Sequence, residues 1–294
     1  MGDASIVVTG ATGTVGSHVA RLLVADRVPF RALVRDRDRA ASLAAAGVEL
    51  VDGDFERPES LDAAFDGAER IFLVVPLGPE LGDLEANAVD SAARVGVRHV
   101  VKLSTAGVAQ EPVGGKTQPR QYPLHRASEE RLEHSGMEFT HLRPGPFMQN
   151  TLNFAPSIKA ERVFRGAWGN GALGYVDVRD VAAVAVEVLR SGAPQGPLEL
   201  TGPEALSAAD VAAKLAAALG HEVGYVDVPP EGVRQAMLAR GMSEWFAGAM
   251  VEVMQHTSTG AAAHITQTVA AVTGQPARSY DDFARDFASA FADG

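Results

Sequence analysis

The sequence predicts an α/β protein: a doubly wound parallel-sheet Rossmann fold with a smaller, mainly helical, discontinuous C-terminal domain. Three observations carry that prediction. Short β-branched runs alternate with amphipathic stretches through the first half of the chain. The first run ends in a glycine-rich turn that opens directly into a helical pattern. After Pro144 the alternation loosens, and beyond about Leu206 the pattern is mainly helical. Strands that alternate with helices imply right-handed crossovers and a parallel sheet covered on both faces.

In chain order, the strand-like runs are Ile6–Thr9, Phe30–Val34, Val48–Val51, Ile71–Val75, His99–Leu103 and Phe139–Leu142. Between them, Val15–Ala25, Asp38–Ala46, Ser60–Phe65, Leu81–Val95 and Leu124–His134 read as helices. Residues 145–175 are rich in Gly, Pro, Asn and aromatics, as expected of binding loops. A helix at Arg179–Leu189 and a strand at Leu198–Leu200 are expected to return to the sheet. Ser207 suits the N-cap of a helix over Ala208–Leu219. Two helices rich in Met, Trp and Phe, between Pro230 and His256, are expected to cover the cleft as a lid. The expected division is a dinucleotide-binding domain over 1–150 and about 176–202, with a substrate and lid domain over 151–175 and 203–294.

Composition excludes several function classes. At 294 residues and 46% hydrophobic, the chain can bury a sizeable core. No run approaches the roughly 20 apolar residues of a membrane span. There are no cysteines, so disulfides, thiolate metal sites and a cysteine nucleophile are out. The net charge of −11 argues against a nucleic-acid partner. The first residues lead straight into a strand, so no secretory leader is expected. The expected protein is cytoplasmic, a monomer or homodimer, with a small-molecule substrate, no membrane partner and no metal.

The strongest motif is "IVVTGATGTVGSHVARLLV". Gly10, Gly13 and Gly16 follow a buried strand and lead into a helix. Glycines here permit a tight turn, close approach of backbone to a pyrophosphate, and close packing of helix on strand. The helix N-terminus adds open N–H groups and the positive end of its dipole. Thr12, Thr14 and Val15 complete the expected cradle. At the end of the second strand an acidic residue would bond a ribose 2′-OH, whereas arginine accommodates a 2′-phosphate. Arg35 occupies that position and Arg39 follows it, so NADPH is the expected cofactor. Asp36 and Asp38 are the rival partners for these arginines.

The loop "VTGATGTVG" resembles that of the short-chain dehydrogenase/reductase superfamily. "RALVRD", "GDFERPESLDAAFDGAERIFLVVP", "VKLSTAG", "SGMEFTHLRPGPFMQN", "YVDVRDVAAVA" and "LELTGPEALS" narrow the resemblance to its NmrA-like atypical branch, over nearly the whole chain. The resemblance implies that Asp54 and Phe55 border the adenine. It places Val75 and Pro76 along the ribose side, and Pro144 to Phe147 against the nicotinamide. A capping role for Asp54 near Pro58 is the alternative.

In related reductases a Ser or Thr after the fifth strand bonds the carbonyl oxygen. A Tyr donates the proton, and a Lys four residues later holds the ribose. Ser104 and Thr105 match the first position, and Tyr122 and Arg126 fall at the other two. Arginine cannot shuttle a proton. Pro123 is expected to open the helix, leaving Tyr122 at its N-cap and turned from the Arg126 face. His125 is the other candidate donor, with an ordinary pKa of about 6.5. Phe147, Phe154, Phe164, Trp168, Tyr175 and Trp245 suggest an apolar, aromatic substrate. The expected activity is NADPH-dependent reduction of a ketone or quinone of an aromatic or polyketide-type molecule, as in antibiotic biosynthesis, with a modified proton relay. The alternatives are a non-catalytic NADP(H)-sensing protein, and an isomerase or dehydratase with a structural cofactor.

Overall fold

The computed structural model describes residues 5–109 and 118–292. The chain divides into two compact units. The first holds the described residues up to Thr105, with Leu124–Arg143 and Val178–Leu198. The second holds Ala106–Pro123, Pro144–Asp177 and the chain from Glu199 onward. The segment after the fifth strand and the start of the following helix thus group with the second unit.

The first unit is built on the expected alternation. Its elements are β1 (Ile6–Val8), α1 (Gly16–Ala25), β2 (Arg31–Val34), α2 (Ala41–Ala45), β3 (Glu49–Asp52), α3 (Pro58–Phe65), β4 (Arg70–Leu73), α4 (Leu81–Arg94) and β5 (His99–Leu103). Then come α5 (Gln121–Glu133) and β6 (Glu138–Pro144). The strands join in a seven-stranded sheet of order β3-β2-β1-β4-β5-β6, ending in a strand over Gly196–Leu200. Neighbours from β3 to β6 pair in parallel, with Val7 opposite Arg31 on one side and Ile71 on the other. The order reverses between β1 and β4, which makes their carboxyl ends the crevice where ligands bind in such sheets. Val7, Leu33, Phe65, Ile71, Leu73, Val89 and Val100 form one core beside it. Thr9, just past β1, locks the two strand ends together. Its hydroxyl donates to the Phe72 and Val74 carbonyls and accepts from the Val74 N–H at 2.8 Å.

Helix α5 begins two residues earlier than its proline suggests. Pro123 is its third residue, and Tyr122 lies inside the first turn with its N–H on the Pro119 carbonyl. The first four N–H groups of a helix have no intrahelical partner, so proline there forfeits no bond. The expectation of Tyr122 as N-cap is therefore corrected.

In the second unit, residues 145–175 carry more structure than loops. They hold a 3₁₀ turn over Met148–Phe154, α6 (Ala155–Glu161) and β7 (Val163–Gly166). After α7 (Val178–Ser191), which packs on α1, and β8 (Gly196–Leu200) comes α8 (Ala208–Leu219). Ser207 caps α8 in a reciprocal box with Asp210. β9 (Gly224–Asp227) pairs in parallel with β7, a strand the helical pattern concealed. α9 (Pro230–Ala239) and α10 (Glu244–Thr257) are the two expected apolar helices. Val233, Val251 and Met254 pack with Ala167 in a small core, and Trp168 and Met237 lie against it. That face of the pair is packing. Trp245 is half-buried.

Candidate cofactor cleft and proton-handling segment

The glycine loop divides its labour. Gly10 has φ +59°, and a Cβ there would meet Val74 Cγ1 at 2.6 Å. A Cβ on Gly16 would lie 2.2 Å from the Gly10 carbonyl oxygen, so the loop itself forbids a side chain. Gly13 differs: its nearest neighbour would be that same oxygen at 3.2 Å. Within the protein a Cβ at Gly13 would crowd that oxygen alone, and by only a few tenths of an ångström; a ligand lying on the loop would meet any larger side chain. No side chain caps the N-terminus of α1, where Val15 is the cap residue; the Ser17 and His18 N–H groups bond the Gly13 and Val15 carbonyls, and the helix start offers a phosphate the positive end of its dipole.

A cleft of about 310 Å³ opens at the loop, lined among others by Gly10, Thr12, Gly13, Arg35, Arg39 and Phe55. A second lobe of about 190 Å³ shares Arg35, Phe55 and Pro76 with it and adds Asp54 and Leu77. Of the expected phosphate, ribose and adenine residues, the two lobes bring together Gly10, Thr12, Gly13, Arg35, Arg39, Asp54, Phe55 and Pro76. Thr14, Val15 and Gly16 line neither lobe, and Val15 is buried. Val75 also lines neither. It is buried in the core, and Val74 lines the cleft in its place. Successive residues of an extended chain point to opposite faces, so a shift of one residue exchanges core for cleft. Asp54 does not cap α3, whose cap residue is Arg57 with no side-chain bond to the helix. It borders the second lobe while its carboxylate accepts the Glu56 N–H at 3.1 Å and pairs with Arg57 at 3.5 Å.

The arginines of "RALVRDRDR" separate cleanly. Arg37 is spent on Asp52, with paired contacts of 2.9 and 2.8 Å that hold the Asp52 carboxyl below its usual range. Asp36 turns its carboxylate to the backbone N–H groups of Asp38 and Arg39, and to no arginine. Arg35 and Arg39 are left without a side-chain partner among the described residues, both facing the larger lobe. Two uncommitted guanidinium groups beside a glycine loop and an uncapped helix terminus fit a dinucleotide that carries a 2′-phosphate.

The segment after β5 is organised differently. Ser104 is buried, and its hydroxyl turns toward Glu129; Thr105 is half-buried at the strand end. Arg126 reaches Glu133 at 2.9 Å, Glu130 at 3.1 Å and Glu129 at 3.2 Å, and these carboxylates raise its pKa further. It is committed to its own helix and does not stand in for a ribose-binding lysine. Arg143 grips the buried Glu129 with contacts of 3.0 and 2.6 Å. Burial pushes Glu129 up, but Arg143 and Ser104 pull it down to about 2. Glu129, Glu133 and His141 bring possible ligand atoms within 4.8 Å of one another. The two guanidinium groups already occupy the carboxylates and would repel a cation.

His125 keeps 13% of its side chain exposed. Its Nδ1 lies 3.4 Å from Lys102 Nζ, and Lys102 in turn pairs with Glu85 at 3.0 Å, both side chains fully buried. Sequence reasoning overlooked Lys102 and Glu85. Their signal was a charged residue inside each of two apolar-faced elements.

In the second unit, Tyr122 is 6% exposed and packs edge-on to His256, with ring centroids 5.6 Å apart. A Cβ on Gly107, at φ +85°, would meet the tyrosine ring at 2.7 Å, so this glycine makes room for it. Burial pushes the phenol up to about 12. The ordinary value is about 10, and a cation close by would lower it. Phe147 is half-buried in a bridge to Val176, and the Pro144 carbonyl accepts the Ala106 N–H. Phe154 and Trp168, expected as substrate contacts, join Phe164 and Tyr225 in an aromatic cluster of the second core, at centroid distances of 5.4 to 6.1 Å. Packing accounts for them.

Comparison with known proteins agrees with this geometry. The model of a family described as NAD(P)H-binding matches residues 10–192. An NAD(P)H azoreductase of Xenophilus azovorans is 40% identical over 97% of this chain and 99% of its own. A (4-alkanoyl-5-oxo-2,5-dihydrofuran-3-yl)methyl phosphate reductase of Streptomyces griseus is 37% identical over 98% and 99%. The NADPH complex of an Escherichia coli NADPH-dependent quinone oxidoreductase superposes with a TM-score of 0.86 at 25% identity, covering 96% of this chain and 99% of that one. The chain belongs to the NAD(P)H-binding family.

Proposed function

We propose that this NADPH-dependent oxidoreductase reduces conjugated acceptors of the quinone type, and that isolated ketones are poor substrates. NADPH, when bound, supplies the hydride. The glycine loop and the start of α1 hold its pyrophosphate, and Arg35 with Arg39 its 2′-phosphate. Phe55 borders its adenine.

One observation carries the choice of acceptor. In the segment that usually supplies the Tyr–Lys relay, the phenol is buried and the cation is spent. Tyr122 is buried with its phenol raised to about 12, and Arg126 is bound to three carboxylates. Reduction of an isolated ketone puts charge on one alkoxide oxygen, which needs a donor matched to it in the transition state. A quinone spreads that charge over its ring and a second oxygen, so hydrogen bonding and later protonation from water suffice. Thr105 at the β5 end and His125 are the side chains assigned to the acceptor oxygen. The names of the azoreductase and quinone oxidoreductase relatives support an acceptor of this kind.

The test is NADPH oxidation at saturating cofactor with benzoquinones and naphthoquinones against cyclic ketones of similar size. Quinones are expected to turn over, with ketones at least about 100-fold slower, the lower range for a missing general acid. Ketones reduced as fast as quinones would overturn the reading. Tight NADPH binding with no acceptor turned over would make the protein an NADP(H) sensor.

A further inference from the structure

We infer that Lys102 and Glu85 are a buried positioning pair that holds His125 in one neutral tautomer, with the proton on Nε2. The inference rests on the assignment of His125 to the acceptor oxygen and says what makes that side chain a donor.

An ammonium has three N–H donors and no acceptor. Lys102 sits near the carboxyl end of β5, fully buried, with Nζ 3.0 Å from Glu85 Oε1 on one side and 3.4 Å from His125 Nδ1 on the other. An imidazole nitrogen that faces such a donor must present its lone pair. A neutral imidazole carries one proton, so the proton lies on Nε2. Glu85 also approaches Nδ1, at 3.8 Å, and would favour a proton there; the closer lysine decides the competition. The charged groups around the ring are Lys102 on β5, Glu85 on α4 and Glu129 on α5 itself. Burial, then Lys102, lowers the His125 pKa to about 3 against the pull of Glu129, so the ring stays neutral across the physiological range. The hydrogen bond of the ring among the described residues is the one at Nδ1, and 13% of the side chain is exposed, so the ring is not sealed from solvent. A neutral Nε2–H that points to no protein acceptor is free to donate to a ligand oxygen.

Glu85 faces Lys102 Nζ from the other side at 3.0 Å, and burial pushes its carboxyl up against the pull of Lys102. Glu85 is thus two steps from the ligand and Lys102 one.

The experiment is a long-range ¹H–¹⁵N spectrum of the full chain with labelled histidine, with and without NADPH, which reads protonation of each ring nitrogen directly. The expected result is a bare Nδ1 and a protonated Nε2 for His125, with no titration down to about pH 5, since its pKa lies near 3. In the double variant Glu85→Leu/Lys102→Met both charges leave together, so no single charge is stranded in the core. There the tautomers should mix, and the ring's pKa should rise only in part, because burial, the larger cause, remains. NADPH affinity should hold, and quinone turnover should fall about tenfold, the low end for losing a partner that orients a functional histidine. Lys102→Arg, which keeps a cationic donor, should restore the Nε2–H form. A protonated Nδ1 in the unaltered protein would overturn the inference even if the double variant failed to fold. So would a His125 spectrum that the double variant leaves unchanged. Full quinone turnover in His125→Gln would instead remove the assignment to the acceptor oxygen, while the tautomer measurement stands by itself.

Discussion

Arg35 and Arg126 belong to the same unit, and each falls where the family pattern expects a cation for the cofactor. Arg35 faces the cleft with no side-chain partner among the described residues. Arg126 is surrounded by Glu129, Glu130 and Glu133. The same contrast runs through their surroundings. Around the glycine loop, space and charge are left open: no cap on α1, no bulk at Gly13, no acid on Arg35. Along α5 the arginines and glutamates are paired within the fold. A charge held without a partner costs little at an exposed position and is available to a ligand. A charge at a buried or half-buried position must be compensated by the protein itself. Sequence position alone does not separate the two cases.

The contrast can be broken most severely at Gly13. Gly13→Val should abolish NADPH binding while the thermal transition stays close to that of the unaltered protein, because only the Gly10 oxygen crowds the new Cβ. Calorimetric titration beside a melting curve checks both halves. Retained affinity would mean that no ligand lies on the loop.

Arg35→Ala should weaken NADPH by about 1–3 kcal/mol, the range for hydrogen bonds to a charged group, and leave NADH nearly unchanged. Equal losses for the two cofactors, or none, would remove the 2′-phosphate assignment.

Arg126→Ala should show the opposite profile. NADPH affinity is expected to hold, while stability falls by about 1–2 kcal/mol, since Glu129 and Glu133 lose hydrogen bonds to a charged partner at a half-buried site. Denaturant unfolding reads the loss. A variant as stable as the parent but weaker for NADPH would place Arg126 in the cofactor site after all.

The smallest effect is expected at Tyr122. Tyr122→Phe should cost less than about tenfold in quinone turnover at saturating NADPH, far below the roughly 10²–10⁴ that removal of a general acid costs. A thousandfold loss with affinity intact would restore the tyrosine as proton donor.

Much of this was legible in the chain. The six strands from Ile6 to Leu142 appear within a few residues of where β-branched runs place them; the central ones are buried on both faces and leave an unbroken apolar signal, whereas β3, at the sheet edge, has no buried residue. The helices between them follow for a similar reason, and Ser207 announces α8 through a cap that depends only on local geometry. The phosphate loop is equally local: strand, glycines and helix lie within one short stretch. Arg35 was legible because its place is counted from that loop.

What the chain could not disclose depends on partners distant in sequence. The place of Pro123 in the first turn of α5 was read one way from a preference, and the fold chose another that satisfies the same donors. Phe154 and Trp168 looked like contacts for a ligand until Phe164 and Tyr225 closed around them. Val74 and Val75 are chemically alike, and only the register of the chain beside β1 sends one to the cleft and the other to the core. The sequence by itself determined the sheet, its crossovers and the glycine cradle, since periodicity and backbone freedom are properties of neighbouring residues. The tertiary structure alone decided which charges are spent and which are free. Pairing such as Lys102 with Glu85, or Arg143 with Glu129, brings together side chains from separate elements, and Coulomb attraction and desolvation act on distance in space, whatever the separation along the chain.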